Sequence, residues 1–130
     1  MFAGTVTVRK YAGAPSALSN ATAGFLASSR VGAYGALVID GFSSWLERHI
    51  EQKEQASDAD VLGEVEAFAE ILYRTARPIV LVTREVGLAP LPEAAAARRI
   101  VRMVTSANQI LATNASSVVF MVSGMPLRVR

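Results

Sequence analysis

Polar residues suited to a ligand site stand at the ends of two apolar segments. Asp40 follows the run at residues 36–39, and Arg84 and Glu85 follow the run at residues 79–82. The carboxyl ends of parallel strands form the ligand-binding edge of an open α/β sheet. An Asp at such an edge can hold Mg²⁺ beside the phosphates of a nucleotide, and an Arg can bind phosphate or carboxylate through two parallel hydrogen bonds.

The same residues also have structural explanations. Asp40 precedes Gly41 and could cap a turn at this point. The Arg84 guanidinium could form an ion pair with Glu85 or with Asp40. The residues alone leave these alternatives open.

Three short apolar runs predict the strands that would position these side chains. Residues 36–39, 79–82 and 118–122 are nearly continuous in apolar residues, which is typical of parallel strands buried on both faces. Residues 5–8 alternate between polar and apolar and form a weaker strand candidate. The turn at residues 123–126 is interpreted as architectural, with Gly124 at a sharp bend and Pro126 in an extended tail.

Helices are predicted between these strands. A short one begins near Ser43. Ser57 and Asp60 have the spacing of a capping box and predict the start of the next helix. Pro92 suits the first turn of a further helix, which ends near Asn114. That helix carries one apolar stripe at helical spacing, formed by Ile100, Val104, Ala107 and Leu111.

Length and element order predict the fold class. A chain of 130 residues with 52% hydrophobic residues is expected to form a single domain. Alternating strands and helices imply right-handed crossovers and a parallel sheet. We therefore expect an α/β protein with three α/β/α layers and a mainly parallel sheet of about four or five strands.

Composition argues against several classes of protein. The chain has no cysteine, so disulfides and thiolate metal sites are excluded. The formal net charge is only +2, without the dense basic stripe of a nucleic-acid-binding protein. No apolar run approaches the roughly 20 residues that span a bilayer, and no secretory signal precedes the first strand. We expect a cytoplasmic protein.

Several short motifs carry a resemblance to a known family. In chain order they are Ala36-Leu37-Val38-Ile39-Asp40, Trp45-Leu46, Thr83-Arg84-Glu85-Val86-Gly87, Pro92-Glu93, Ala107-Asn108-Gln109 and Val122-Ser123-Gly124-Met125-Pro126-Leu127. Their order and spacing over residues 34–129 resemble the bifunctional adenosylcobinamide kinase / adenosylcobinamide-phosphate guanylyltransferase family of cobalamin biosynthesis.

The resemblance implies a P-loop-NTPase-like (RecA-like) fold and a candidate nucleotide or substrate site. It gives Asp40 a Mg²⁺-binding role, and it makes Glu85, Asn108 and Gln109 matches to family positions. Arg84 belongs to the same candidate site but stands where the family has Asn. The ligands implied are GTP or ATP with Mg²⁺, and a corrinoid.

The chain lacks the P-loop that the resemblance would predict. A P-loop needs Gly-x-x-x-x-Gly-Lys-Ser/Thr, whose backbone N–H groups and lysine hold the phosphates. The only lysines are Lys10 and Lys53, and neither follows a Gly-rich loop. The family's guanylyl-accepting His has no match either, since His49 lies downstream of the Asp40 strand. We expect His49 on a solvated helix face, with a role as a lone acid–base group as the alternative.

Two alignments of the N-terminal part remain open. In the favoured one, residues 5–8 replace the P-loop strand, residues 9–16 are its degenerate loop, and a helix follows at residues 17–28. In the other, residues 5–26 match a middle segment of the family and the first strand is missing. Either way, residues 1–35 form a degenerate N-terminal part and residues 36–130 the family-like core.

Three functional hypotheses follow. The first is a degenerate family member that binds a partner protein, a corrinoid or a nucleotide without turnover. The second is an active nucleotide-dependent enzyme in which Arg9, Lys10 and Arg84 replace the P-loop lysine. The third is a structural homo-oligomer, since a shortened sheet would expose surface that favours association.

Overall fold

The computed structural model describes residues 6–10, 36–76 and 78–130 of the chain. Most of the loop predicted at residues 9–16 and the helix predicted at residues 17–28 lie outside this part. The predicted α/β class is confirmed, but the expected sheet of about four or five strands is not, because three of the described strands form the parallel sheet. The elements are, in chain order, β1 (Val6–Lys10), β2 (Ala36–Asp40), α1 (Phe42–Gln52), α2 (Asp58–Arg74), β3 (Ile79–Leu81), α3 (Ala95–Asn114), β4 (Val119–Val122) and β5 (Met125–Arg128).

The first three strands form a parallel sheet with β2 in the centre. The register between β1 and β2 places Lys10 opposite Asp40 at the carboxyl ends of the two strands. On the other side of β2, the Val82 N–H donates to the Ile39 carbonyl at 2.8 Å. The strand ends that carry Asp40 and the segment after β3 therefore share one edge of the sheet.

The strand predicted at residues 118–122 pairs differently from the expectation. It does not join the parallel sheet: β4 pairs antiparallel with β5 and forms a separate two-stranded sheet. The connecting residues Ser123 and Gly124 have φ angles of 51° and 79°. Two consecutive left-handed residues make the tight turn that suits a β-hairpin. Pro126, expected in an extended tail, lies within β5 opposite Met121.

Burial of the strands is also lower than their apolar composition predicts. Leu37 and Ile39 of β2 are buried, but Val80 in the middle of β3 is 51% exposed. Every residue of β5 is exposed, as are Val119 and Met121 of β4. The expected burial of both faces is therefore wrong for β3 and β4. A run of apolar residues shows that a segment is hydrophobic, but it does not show whether other elements cover both faces of the strand.

The core of the described part forms between β2 and the three helices. Phe42 of α1 stacks on Phe68 of α2, with ring centroids 5.8 Å apart and planes 6° apart. Trp45 packs beside Phe42 at 5.4 Å. Such aromatic contacts add to the free energy gained from burying the rings. The other buried apolar residues are Leu37, Ile39, Leu46, Ile50, Val61, Val65, Ala69, Met103, Val104, Ala107 and Leu111.

Helix α2 begins with the capping box that the sequence predicts. The Asp60 N–H donates to the Ser57 hydroxyl oxygen at 3.1 Å, and the Ser57 backbone N–H donates to the Asp60 carboxylate at 3.2 Å. The Ser57 hydroxyl also donates to this carboxylate. These hydrogen bonds, that of the Ser57 side chain first, lower the pKa of Asp60 below its usual value because they favour the ionised carboxylate.

Helix α3 begins later than Pro92 predicts. Its first residue is Ala95, and Pro92 lies in the preceding loop. The Arg98 guanidinium donates to the carbonyls of Pro92 and Glu93, so the loop folds back over the first turn of the helix. The predicted stripe is confirmed, with Val104, Ala107 and Leu111 buried. No helix in the described part of the chain is long and apolar enough to cross a membrane.

The capping box predicts a measurable loss of stability in Ser57→Ala. Removing the hydroxyl leaves the Asp60 N–H without its acceptor, and such caps contribute about 1 kcal/mol. Urea unfolding followed by far-ultraviolet circular dichroism would measure the change. Ser116→Ala is the control, because Ser116 is an exposed residue outside the helices. Equal unfolding midpoints for the two variants would contradict the assignment.

Candidate functional site

The candidate site lies where β2 and β3 end. Asp40 is the last residue of β2 and is exposed. Gly41 follows with φ of 87°, a left-handed conformation that favours glycine, and helix α1 begins at the next residue. Among the described residues, no atom outside Gly41 and its two chain neighbours lies within 4 Å of the place where a Cβ would stand on Gly41. The backbone conformation and not lack of space therefore explains this glycine.

A buried hydroxyl links α1 to the segment after β3. Ser43 is only 1% exposed, and its Oγ lies 2.8 Å from the Thr83 hydroxyl. The Arg84 backbone N–H donates to the same Ser43 oxygen at 2.7 Å. The Ser43 hydroxyl therefore holds Thr83 and Arg84, the second and third residues after β3, against the start of α1.

Asn108 of α3 closes this network. The Thr83 hydroxyl donates to Asn108 Oδ1 at 2.8 Å, and Asn108 Nδ2 donates to the Arg84 carbonyl at 2.9 Å. Since the Thr83 proton is directed to Asn108, the Ser43 hydroxyl must donate to Thr83. A continuous chain of hydrogen bonds thus joins α1, the segment after β3 and α3. We call these four residues, Ser43, Thr83, Arg84 and Asn108, the Ser43 network.

The Arg84 side chain forms an ion pair with a residue that was not among the candidates expected from the sequence. Its Nη2 forms an ion pair with the Glu47 carboxylate of α1, and not with Glu85 or Asp40. The Arg84 side chain is 58% exposed and that of Glu47 30% exposed. Exposed ion pairs contribute little to stability. The guanidinium is therefore accessible and could exchange Glu47 for a phosphate or carboxylate of a ligand.

Glu85 and Gly87 form a local turn. Glu85 Oε1 accepts a hydrogen bond from the Gly87 N–H at 2.6 Å. A Cβ on Gly87 would stand 2.9 Å from that oxygen and 3.6 Å from the Thr105 hydroxyl. A side chain at position 87 would therefore displace the Glu85 carboxylate from this hydrogen bond. One oxygen of the Glu85 carboxylate is thus engaged with the backbone of its own turn, and a ligand role for Glu85 stays a prediction.

Gln109 does not join the other predicted site residues. Adjacent residues on a helix point in directions about 100° apart. Asn108 faces the segment after β3, whereas Gln109 lines an open groove between α2 and α3 beside Leu62 and Ile110. Asp40, Arg84, Glu85 and Asn108 are therefore associated with one sheet edge, and Gln109 lies elsewhere.

The chemistry of Asp40 suits Mg²⁺ only as one ligand among several. Mg²⁺ takes six oxygen ligands and often binds proteins through one or two carboxylates together with substrate phosphates. Among residues 36–76 and 78–130, no group of three or more His, Asp or Glu side chains could hold a metal ion. A magnesium ion at Asp40 would depend on the oxygens of a nucleotide, and its binding there stays a prediction.

A comparison with known protein families shows to which family this chain belongs. The family model described as cobinamide kinase / cobinamide phosphate guanyltransferase matches residues 17–129. The chain belongs to this family. Membership connects it with cobalamin biosynthesis. No curated protein matches the chain.

His49 lies in an environment opposite to the one expected. It is 1% exposed and stacks on Trp45, with ring centroids 5.1 Å apart and planes 15° apart. Its Nε2 lies 2.6 Å from Glu64 Oε2, but without the direction of a good hydrogen bond. The expectation of a solvated face is wrong because His49 follows Trp45 by four residues and shares its buried side of α1. That spacing could have shown its burial from the sequence.

Glu64 connects His49 with Lys53. The Lys53 ammonium donates to Glu64 Oε1 at 2.5 Å. Burial of the Glu64 carboxyl opposes its ionisation, but the Lys53 hydrogen bond and the charges of His49 and Lys53 outweigh this effect. The pKa of Glu64 is therefore lowered from its ordinary value.

The Ser43 network predicts that Ser43→Ala destabilises the protein by about 2 kcal/mol, since the Arg84 N–H loses its buried acceptor. Its neighbour Ser44 is exposed, so Ser44→Ala is expected to stay within about 0.5 kcal/mol of the wild type. Chemical denaturation of the three proteins would measure the difference. A Ser43→Ala protein as stable as Ser44→Ala would contradict the network.

The lowered pKa of Glu64 predicts a contribution to stability that depends on pH. This stabilising contribution is fully present above the pKa of Glu64 in the unfolded chain, which is near 4.5. It is lost as the pH falls through the lower pKa that Glu64 has in the folded protein. We expect Glu64→Gln to lose stability less steeply than the wild type below pH 4.5. The effect is at most about 1 kcal/mol because the pair is part exposed.

Glu66→Gln is the matched control, since Glu66 is an exposed residue on the same helix. Denaturant midpoints between pH 3 and pH 7 would compare the three proteins. If the Glu64→Gln and wild-type slopes were parallel in this range, the proposed coupling of Glu64 to Lys53 and His49 would be wrong.

Proposed function

We propose that this chain is a ligand- or partner-binding member of the cobinamide kinase / cobinamide phosphate guanyltransferase family that does not itself carry out ATP- or GTP-dependent transfer. Its binding region is the edge formed by Asp40, Gly41 and Arg84. The ligand is a corrinoid or nucleotide of cobalamin biosynthesis, or an enzyme that acts on one.

The main support for this proposal is that several polar groups of the site form hydrogen bonds within the protein. The Ser43 hydroxyl and the Asn108 amide are used to fix the segment after β3. The Glu85 carboxylate is bound to the Gly87 N–H. Groups committed to internal hydrogen bonds are well placed to hold a rigid edge but are not free to take part in chemistry.

The sequence supports the same proposal. Phosphoryl transfer depends on positioning and on cations that neutralise the charge developing on the phosphate oxygens. The 130 residues contain no Gly-x-x-x-x-Gly-Lys-Ser/Thr string that could provide this. Accessible charged groups at the edge include the Asp40 carboxylate and the Arg84–Glu47 ion pair. A pair of this kind can bind a ligand by exchanging one partner.

Calorimetric titration with GTP and with ATP, each with and without Mg²⁺, tests the proposal. We expect no magnesium-dependent binding at micromolar nucleotide, no ADP or GDP formed when cobinamide is added, and no pyrophosphate released from GTP when cobinamide phosphate is added. Titration with cobinamide alone is expected to show binding that weakens in Arg84→Ala, because the guanidinium is an accessible charged group. Magnesium-dependent micromolar binding with turnover would contradict the proposal.

One observation favours an active nucleotide-dependent enzyme as a second candidate. The register of β1 with β2 places Lys10 opposite Asp40 at the same sheet edge. A lysine and an aspartate at neighbouring strand ends are the residue types that hold the phosphates and Mg²⁺ of a nucleotide. In this alternative, Arg84 would bind a second phosphate oxygen, and the helix α1 N-terminus would favour the anion.

Substitutions separate the two candidates. An active enzyme predicts that Asp40→Asn or Lys10→Ala weakens Mg²⁺-nucleotide binding at least about 10-fold, since each removes a charged contact. Arg102→Ala is the control, because Arg102 is an exposed arginine on α3. Nucleotide binding that is equally weak in the wild type and all three variants would leave the binding-protein proposal as the better account.

A further inference from the structure

Arg84 is held at its backbone and at its side chain by one face of α1. The Arg84 N–H donates to the Ser43 hydroxyl at 2.7 Å, and the guanidinium donates to the Glu47 carboxylate. Ser43 and Glu47 are four residues apart in α1 and therefore lie on the same side of the helix, one turn apart. The two contacts differ in burial, because Ser43 is 1% exposed whereas the Arg84 and Glu47 side chains are 58% and 30% exposed.

The buried contact fixes the backbone of Arg84 without help from the exposed one. The Arg84 carbonyl accepts a hydrogen bond from Asn108 Nδ2 at 2.9 Å, so both backbone groups of Arg84 are hydrogen-bonded within the protein. Helix α1 is held in place by its own buried residues, among them Phe42 and Leu46. The guanidinium can therefore leave Glu47 by rotation of its side chain, without movement of the backbone.

The ion pair of Arg84 with Glu47 adds little to stability. An exposed pair gains modest Coulomb energy in water and loses side-chain freedom when it forms. Its larger effect is on binding, because the Glu47 carboxylate occupies the guanidinium and repels any other anion that approaches. The hydrogen bond to Glu47 uses Nη2, and a guanidinium has further N–H donors that another anion can engage.

We propose that Glu47 is an internal competitor for the ligand: it occupies the Arg84 guanidinium in the free protein and is displaced when a phosphate group binds there. This inference rests on the proposed function, because it concerns the ligand that binds at the same edge. It adds the chemical class of the group that Arg84 recognises and a residue that controls the affinity for that group.

A phosphate group is favoured over a carboxylate as the displacing anion. A ligand carboxylate carries the same single charge as Glu47, and Glu47 has the advantage that the helix holds it beside Arg84. A phosphate monoester carries a charge of about −2 near neutral pH and offers further oxygens. A guanidinium binds phosphate through two parallel hydrogen bonds, and this gain exceeds the small contribution of an exposed ion pair.

Titration of the full chain with inorganic phosphate, followed by nuclear magnetic resonance, tests the competition. The Arg84 Nε–H signal reports binding in the wild type, in Glu47→Gln and in Glu51→Gln. Glu51 is an exposed glutamate of the same helix, so its variant has the same net charge as Glu47→Gln. We expect Glu47→Gln to bind phosphate about fivefold more tightly than the wild type, the upper range for an exposed ion pair. Glu51→Gln is expected to stay within about twofold, since its charge is screened.

Equal phosphate affinities in the wild type and Glu47→Gln would overturn the proposal. So would a gain of the same size in Glu51→Gln, because the effect would then come from net charge alone. Combining Glu47→Gln with Arg84→Gln is expected to abolish the gain, since the guanidinium for which phosphate competes is gone. A gain that persists in this double variant would place phosphate elsewhere and contradict the proposal.

The displacement of Glu47 can also be followed in the wild type alone. The Glu47 carboxyl carbon signal is expected to shift together with the Arg84 Nε–H signal as phosphate is added, because the carboxylate loses its cation. An Arg84 signal that moves while the Glu47 carboxyl carbon stays unchanged would mean that phosphate binds without displacing Glu47. The competitor role would then be wrong.

Further titrations distinguish the molecules that could supply the phosphate group. GTP without Mg²⁺ and cobinamide phosphate are added to the same proteins, and the one that the wild type binds more tightly is the source. The gain in Glu47→Gln is expected to be about fivefold for each, since each displaces the same residue. A gain for neither molecule would overturn the proposal.

Failure of this inference and failure of the proposed function give different results. Magnesium-dependent nucleotide binding with turnover would contradict the proposed function, while a fivefold gain in Glu47→Gln would still support the competitor role. Ligand binding that weakens in Arg84→Ala but is unchanged in Glu47→Gln would leave the proposed function standing and overturn the role of Glu47.

Discussion

The buried Ser43 hydroxyl is the interaction on which the candidate site depends. It accepts the Arg84 N–H and contacts the Thr83 hydroxyl, and Asn108 completes the same network from α3. These bonds connect segments separated by 24 to 41 positions in the chain. Because an unpaired buried polar group is costly, the network has one favourable arrangement and fixes the backbone after β3. The left-handed turn at Gly41 and the exposed side chains of Asp40 and Arg84 follow from that frame.

In this site, the groups that fix the backbone are not the groups that face solvent. The Ser43 hydroxyl and the Asn108 amide form hydrogen bonds within the protein and hold the segment after β3 in place. The groups that face solvent include the Asp40 carboxylate and the ion pair of Arg84 with Glu47. Under the proposed function, such an edge recognises a charged ligand by exchange of partners, and family membership connects the chain with cobalamin biosynthesis.

Local patterns predicted much of this structure, and long-range contacts explain what they missed. Ser57 and Asp60 predicted the start of α2 because a capping box is completed within four residues. The strand at residues 118–122 was found, but its partner was not, since an apolar run has the same composition in a parallel sheet and in a hairpin. At the site, Asp40 and Arg84 were located correctly at strand ends. The roles of Glu47 and Ser43 depend on contacts some 40 positions apart, which no local pattern records.

The central claim is that a buried hydroxyl fixes the backbone after β3. The most direct measurement is the hydrogen-exchange rate of the Arg84 amide, followed by nuclear magnetic resonance under native conditions. If Ser43 accepts this amide as described, Arg84 will exchange slowly, like the amides in the middle of α1, and quickly in Ser43→Ala. An Arg84 amide that exchanges in the wild type as fast as an exposed loop residue would contradict the account.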